Sequence, residues 1–217
     1  MTFSILVRDP ISGALGGASA TGNLGVGGWV LRGDPLAGIS ASQGKTPSTL
    51  WGDDVLTAMR EGLDAETAIA RVVGADAGRA ARQLLVLDHT GAGAAFSGDG
   101  NVPATSHLVT ENRVVGGNML ANASVVAACL SGFTEGEGPI ARRLLRALQS
   151  GASAGGDARG MMSAAILVVS TSEPPISWRI DHSASPLTDL GRLIALGEED
   201  GYERWRKTLP TNDWPDR

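Results

Sequence analysis

Cysteine is nearly absent. Cys129 stands alone among 217 residues, so no disulfide can form within the chain, and nothing in the sequence speaks for an oxidising compartment. Histidine is scarce as well: His89, His107 and His182 are the three present, with no pair at ligand spacing. That pattern argues against a zinc or iron centre and weakens a serine or cysteine nucleophile that would need a histidine base. Lysine is limited to Lys45 and Lys207, aromatic residues make up 4%, and the formal net charge is -5 with no basic tract. Nucleic acid and anionic membranes are therefore poor partners. No run reaches transmembrane length, and the start, Met1 to Pro10, has too short an apolar run and no basic lead for a signal peptide. A cytoplasmic protein without metal or cofactor is expected.

What is present is an ordinary globular composition, 42% hydrophobic and 19% charged, with no linker that would divide the chain. Residues 1–209 are read as one domain and 210–217 as a loose tail. Thr2 to Val7 reads as a strand, turned by Asp9-Pro10-Ile11-Ser12-Gly13 into a return segment, Ala14 to Thr21. Only Ala, Gly and Ser fill most of that return, which suits a strand where another layer packs very closely. Val26 to Leu31 and Leu36 to Ala41 read as two more strands, giving four before any helix. Helices are expected from Thr46-Pro47 to about Glu61 and from an Asp64 cap onward. Strands follow at Gln83 to Leu87, Gly93 to Phe96 and Arg113 to Gly117. Helices then begin near Asn122 and Pro139, strands cover Ser163 to Ser170 and Ile176 to Asp181, and one helix spans Leu187 to Trp205. Alternating groups of strands and helices joined by hairpins predict an α+β fold with two mainly antiparallel sheets between helical layers.

The chemistry rests on Thr2. Gly25-Val26-Gly27-Gly28 lacks the Lys and Ser/Thr of a phosphate loop, and Cys129 sits in an apolar helical run. Thr2 needs no histidine: once Met1 is removed, the freed α-amino group, with an unperturbed pKa of about 7.7 to 8.0, can accept the hydroxyl proton. A strand beginning at Thr2 would hold that terminus rigidly.

Four blocks carry a family resemblance. They are Met1-Thr2-Phe3-Ser4-Ile5 with Arg8-Asp9-Pro10; Gly38-Ile39-Ser40-Ala41-Ser42-Gln43; Gly116-Gly117-Asn118-Met119-Leu120; and Gly155-Gly156-Asp157-Ala158-Arg159-Gly160 followed by Ser163-Ala164-Ala165. Over nearly its whole length the chain resembles the bacterial and archaeal DUF1028 family, assigned to the N-terminal-nucleophile hydrolase fold. The resemblance implies a four-layer αββα sandwich with Thr2 as nucleophile at a sheet edge. It departs from the family at Met162, where many members have Gln, and no lysine lies on the early strands where proteasome-like relatives use one.

An oxyanion would need donors, for which Asn118 and the Gln43-Gly44 backbone are candidates. Asp157 and Arg159 are candidates to orient the α-amino group or hold a substrate carboxylate. Ser19, with Thr21, is a candidate relay, Arg8 a candidate positive charge, and Gly44, Gly117 and Ser163 complete the expected substrate contacts. The expected reaction is hydrolysis of an amide in a small molecule or peptide through an acyl-enzyme on Thr2. The rival is a non-catalytic ligand-binding or assembly protein that keeps the fold. Five tryptophans, several near the C-terminus, suggest a homodimer contact.

Overall fold

Both faces of the first strand are buried, which fixes its place at the middle of the molecule. The computed structural model describes residues 2–101, 104–157 and 159–217. Met1, whose removal the sequence reading requires, and Ala158 in the glycine loop lie outside the described residues. Strand β1 (Thr2–Arg8) pairs antiparallel with β2 (Leu15–Thr21) on one side and with β8 (Arg113–Asn118) on the other. Outside them lie β9 (Ser163–Val169), β10 (Ile176–Ile180) and β7 (Ser106–Thr110), in the order β10-β9-β2-β1-β8-β7. A second antiparallel sheet has the order β3-β4-β5-β6, from β3 (Leu31–Asp34), β4 (Gly38–Gly44), β5 (Arg82–Asp88) and β6 (Gly93–Ser97).

Three apolar layers hold four layers of structure together. Helices α4 (Ser124–Thr134), α5 (Ile140–Ser153) and α6 (Pro186–Gly197) cover the six-stranded sheet, where Val126, Phe133, Leu144, Leu148 and Leu190 pack on Phe3, Ile5 and Val7. Between the sheets, Leu6 and Val114 meet Ile39, Leu85 and Leu87. Helices α2 (Trp51–Arg60) and α3 (Ala65–Gly74) close the far side over Leu84 and Val86. This is the expected αββα sandwich. The small residues of β2 are where the layers come closest: a β-carbon on Gly17 would stand 3.0 Å from Ile39 and 3.1 Å from Leu31 of the opposite sheet.

Local differences from the sequence reading have local causes. Val26 to Leu31 is not a strand. Val26–Trp29 forms a short helix, α1, because Gly27 and Gly28 let one turn fold tightly and Val30 N–H closes it on the Val26 carbonyl at 3.0 Å. Four strands still precede α2, but the third is β3, which begins only at Leu31 where that short helix has ended. Helix α2 begins at Trp51 rather than Thr46, since the Ser48 hydroxyl accepts the N–H groups of Leu50 and Trp51, both at 3.2 Å, while Thr46 N–H is taken by Ala81 O. Asp64 caps α3 as expected, through Thr67 N–H at 2.7 Å. The half-polar edge strand β7 carries little periodic signal and was not foreseen. The C-terminal helix is two, α6 and α7 (Asp200–Arg206), parted after Gly197, which packs against the Trp178 ring. No helix among the described residues is long and apolar enough to cross a membrane.

Candidate active site

Alternation along β1 sends Phe3, Ile5 and Val7 toward the helices and Thr2, Ser4 and Leu6 toward the second sheet. Register then sets each inward residue beside two partners. Leu6 lies between Gly17 and Val114, Ser4 between Ser19 and Gly116, and Thr2 between Thr21 and Asn118. The space between the sheets thus changes along one strand, from apolar at Leu6 to fully hydrogen-bonded at Ser4 and to an opening at Thr2.

The middle rung is a buried polar network. Ser4 Oγ lies 2.7 Å from Ser19 Oγ and donates to Gln43 Oε1 at 2.6 Å. Gln43 Nε2 donates to Gln83 Oε1 at 2.7 Å, and Gln83 Nε2 donates to Ser97 Oγ at 2.8 Å and to the Gly117 carbonyl at 3.2 Å. Gln43 Nε2 also reaches the Thr2 carbonyl at 3.5 Å and that of Gly116 at 3.4 Å. Burial of so many amides and hydroxyls is tolerable because nearly all of them are paired, and paired groups specify one arrangement.

The upper rung opens to solvent. Thr2 is 9% exposed, its hydroxyl donates to Thr21 Oγ1 at 3.2 Å, and it lines a cleft of about 320 Å³. Opposite stand Gly44 and Lys45; Val30, Trp29 and Met119 form walls, and Arg159 lies at the rim. Met119 holds φ at 53°, a left-handed conformation that costs a non-glycine residue energy and clusters at functional sites. The Gly44 turn is held in place: Lys45 N–H donates to Asn101 Oδ1 at 2.9 Å, and Asn101 Nδ2 donates to Arg82 O at 2.7 Å. A β-carbon on Gly44 would collide with the Ala81 carbonyl at 2.6 Å. Along β4, Ser42 N–H reaches Val30 O at 3.0 Å. The Gly44 N–H, two residues on, leaves the strand on that same side, where β3 has ended and the cleft begins.

Asp157 stands behind the turn that follows β2. Its side chain is wholly buried, accepts Gly22 N–H at 2.5 Å and pairs with Arg159 Nη2 at 3.0 Å. Burial alone would raise its pKa, yet the hydrogen bonds from Arg159 and Gly22 outweigh burial and hold the carboxyl below the ordinary aspartate value. Ser163 Oγ donates to Asn23 O at 2.7 Å and accepts Val26 N–H at 3.1 Å, tying down the same loop from below.

Thr2, Gly44, Asp157 and Arg159 are therefore brought together. Others of the expected set are close but turned to different work. Asn118 points Nδ2 at Gln83 Oε1, 3.3 Å away, and its buried Oδ1 has no partner among the described residues. Its side chain is fully buried in the polar network and does not line the Thr2 cleft. The Gln43 side chain lies beneath the cleft in the polar network, and Ser19 sits one rung too deep to reach Thr2, whose hydroxyl neighbour is Thr21. Gly117 receives Gln83 through its carbonyl. Arg8 is at the opposite end of β1, donating to His89 O at 2.9 Å, so it contributes nothing to the cleft. Lys45, Trp29, Met119, Asn101 and Gln83 were not singled out from the sequence. Lys45 had a signal in its rarity, and Gln83 in heading the apolar run Leu84-Leu85-Val86-Leu87.

Residues 2–190 match DUF1028, described as a family of unknown function. The chain belongs to that family. The crystal structure of protein SPO2555 from Silicibacter pomeroyi, another DUF1028 protein, is 42% identical and superposes with a TM-score of 0.95, covering 100% of this chain and 98% of that one. Anbu (ancestral beta-subunit) from Yersinia bercovieri is 10% identical, with a TM-score of 0.39 over 96% of this chain and 98% of its own, a likeness too slight to carry weight. No curated protein matches the chain. The chemistry of this DUF1028 cleft accordingly rests on its own geometry.

Proposed function

We propose that this DUF1028 protein is an N-terminal-nucleophile amidohydrolase in which Thr2, freed by removal of Met1, cleaves an amide bond of a small molecule or peptide. The observation that carries this reading is the Thr2 hydroxyl at the head of the central strand, lining a cleft that Gly44 also lines, with the Gly44 N–H on the side of β4 beyond the end of β3. In the proposed cycle the Thr2 α-amine takes the hydroxyl proton and Oγ1 attacks the amide carbonyl carbon. The oxyanion accepts from Gly44 N–H, in a turn already fixed by Asn101 and so with little reorganisation to undergo. As the C–N bond breaks, the α-ammonium returns its proton to the leaving amine. Water, deprotonated by the same α-amine, then hydrolyses the ester to a carboxylic acid and restores Thr2. Asp157, buried next to Gly22 and Thr21, supplies the negative charge that keeps the α-ammonium in place between the two proton transfers.

The test uses native, untagged protein, weighed by mass spectrometry before and after incubation with a library of amides. Loss of Met1, a mass increase equal to an acyl group on the N-terminal peptide, and no turnover by Thr2→Ala are expected. Full activity in protein that retains Met1, or unchanged turnover by Thr2→Ala, overturns the reading in favour of a binding role for the fold.

A further inference from the structure

A second basin, of about 680 Å³, adjoins the Thr2 cleft and shares Leu24 and Trp29 with it. Both of these side chains are 55% exposed, an apolar surface standing in water between two cavities. Two guanidinium groups converge on the basin from different sheets. Arg32 of β3 donates through Nη1 to the Gly28 carbonyl at 3.3 Å. Arg179 of β10 lies across the same residue, its Nη2 3.5 Å from where a β-carbon of Gly28 would sit. Helix α1 is cut away to allow this, since a β-carbon on Gly27 would stand 2.6 Å from Arg179 Cγ.

Each arginine has one carboxylate partner. Asp53 takes Arg32 Nε at 3.2 Å, and Asp181 takes Arg179 Nη2 at 2.9 Å. Arg32 Nη2 and Arg179 Nη1 have no hydrogen-bond partner among the described residues. His182 also lines the basin. Asp53 and Asp181 balance the two guanidinium charges, and Asp181 itself lines the basin, so what the basin offers an anion is the hydrogen bonding of the two open nitrogens rather than excess charge. The planar guanidinium fork suits a carboxylate, while Trp29 and Leu24 suit the apolar body that carries one.

We propose that this basin is the subsite for a carboxylate on the substrate, so that the enzyme acts on amides bearing a carboxylate, with their apolar part lying over Trp29 and Leu24. The assignment rests on the reading of the Thr2 cleft as the site of cleavage, but its test does not require turnover.

The probe is 4-phenylbutyrate, titrated calorimetrically into the untagged Thr2→Ala protein beside neutral 4-phenylbutyramide. Saturable binding of the carboxylate is expected, weakened about tenfold or more for the amide and for Arg179→Gln with Arg32→Gln, as loss of charged hydrogen bonds requires. Arg179→Lys should recover part of the affinity. Thermal melting of each variant separates a lost site from a lost fold. Equal affinity for charged and neutral probes, undiminished binding by the folded double variant, or no saturable binding of either probe overturns the proposal. Stronger competition by inorganic phosphate than by acetate overturns the choice of a carboxylate. Should Thr2 prove catalytically idle, Arg-dependent binding in this assay still stands; should the probe fail to bind, turnover by Thr2 is untouched.

Discussion

The two faces of β1 present opposite solutions to burial. On the helix side Phe3, Ile5 and Val7 are sealed in one apolar core and differ little in environment along the strand. On the sheet side Leu6, Ser4 and Thr2 meet three environments within five residues: hydrocarbon, a closed hydrogen-bond network, and a cleft open to solvent. The first face gives the strand its stability, and the second uses that rigidity to hold a hydroxyl at a fixed point. A nucleophile placed on a loop would have to be ordered at each turnover; the packing of Phe3 already orders the Thr2 hydroxyl that the proposed reaction uses.

The comparison breaks most sharply at Thr2 itself. Thr2→Ala should lower turnover by about 10⁴-fold or more, the scale seen when a nucleophile is removed. Chemical denaturation should move little, because a single hydroxyl contact to Thr21 is lost at the mouth of the cleft. A marked loss of stability with retained turnover would invert the roles assigned to the two faces.

Phe3→Ala, one residue along, should do the reverse. Its ring is fully buried beside Gly151 of α5, and truncation leaves a cavity costing about 3–5 kcal/mol, read as a lower urea midpoint. Activity per folded molecule should fall far less than in Thr2→Ala. An unchanged midpoint would mean that the helix layer, not β1, holds this core.

Much of the fold was legible because its signals are local. The hairpin after β1, the Asp64 cap, and the Ala-Gly-Ser strand that demands a close layer each follow from a few adjacent residues. Thr2, too, could be singled out, since an N-terminal hydroxyl beside an amine is chemistry within one residue. The polar network was not legible in that way: Gln43 and Gln83 meet only because two strands far apart in sequence pair in one register. Arg8 was misassigned for the matching reason. In sequence it is six residues from Thr2, but an extended strand carries it about 20 Å away. The Val26–Trp29 turn failed as a strand because four small and apolar residues without a polar partner have no period to read.

On the sheet-facing side, Gln43 ties the closed rung at Ser4 to the backbone of Thr2 at the cleft. Gln43→Leu removes the acceptor of Ser4 and a donor to Gln83, leaving buried groups unpaired at a cost of about 1–3 kcal/mol. It also releases the Thr2 carbonyl, so turnover and midpoint should fall together, unlike in either single-face variant. Loss of stability alone would confine the network to a structural role.

The smallest effect distinguishes the ends of the strand rather than its faces. Asp157 near Thr2 and Asp9 beyond Arg8 both have pKa values below the ordinary 3.8. For Asp9 the leading cause is the Ser12 N–H, aided by the Ser12 hydroxyl; for Asp157 the Arg159 and Gly22 bonds prevail over burial. A carboxyl depressed on folding stabilises the folded chain at pH above its unfolded value, and that stability is lost as pH falls through the folded one. Urea midpoints measured from neutral pH down to about 3 should therefore drop more steeply for the wild type than for Asp157→Asn, the two curves converging at the acid end. Asp9→Asn should flatten the curve less, because Asp9 is 22% exposed and solvent weakens its interactions, whereas the Asp157 side chain is fully buried. Parallel curves for wild type and Asp157→Asn would show that the buried carboxyl is not the charged anchor of the cleft, and the α-amine would then need another partner for its proton.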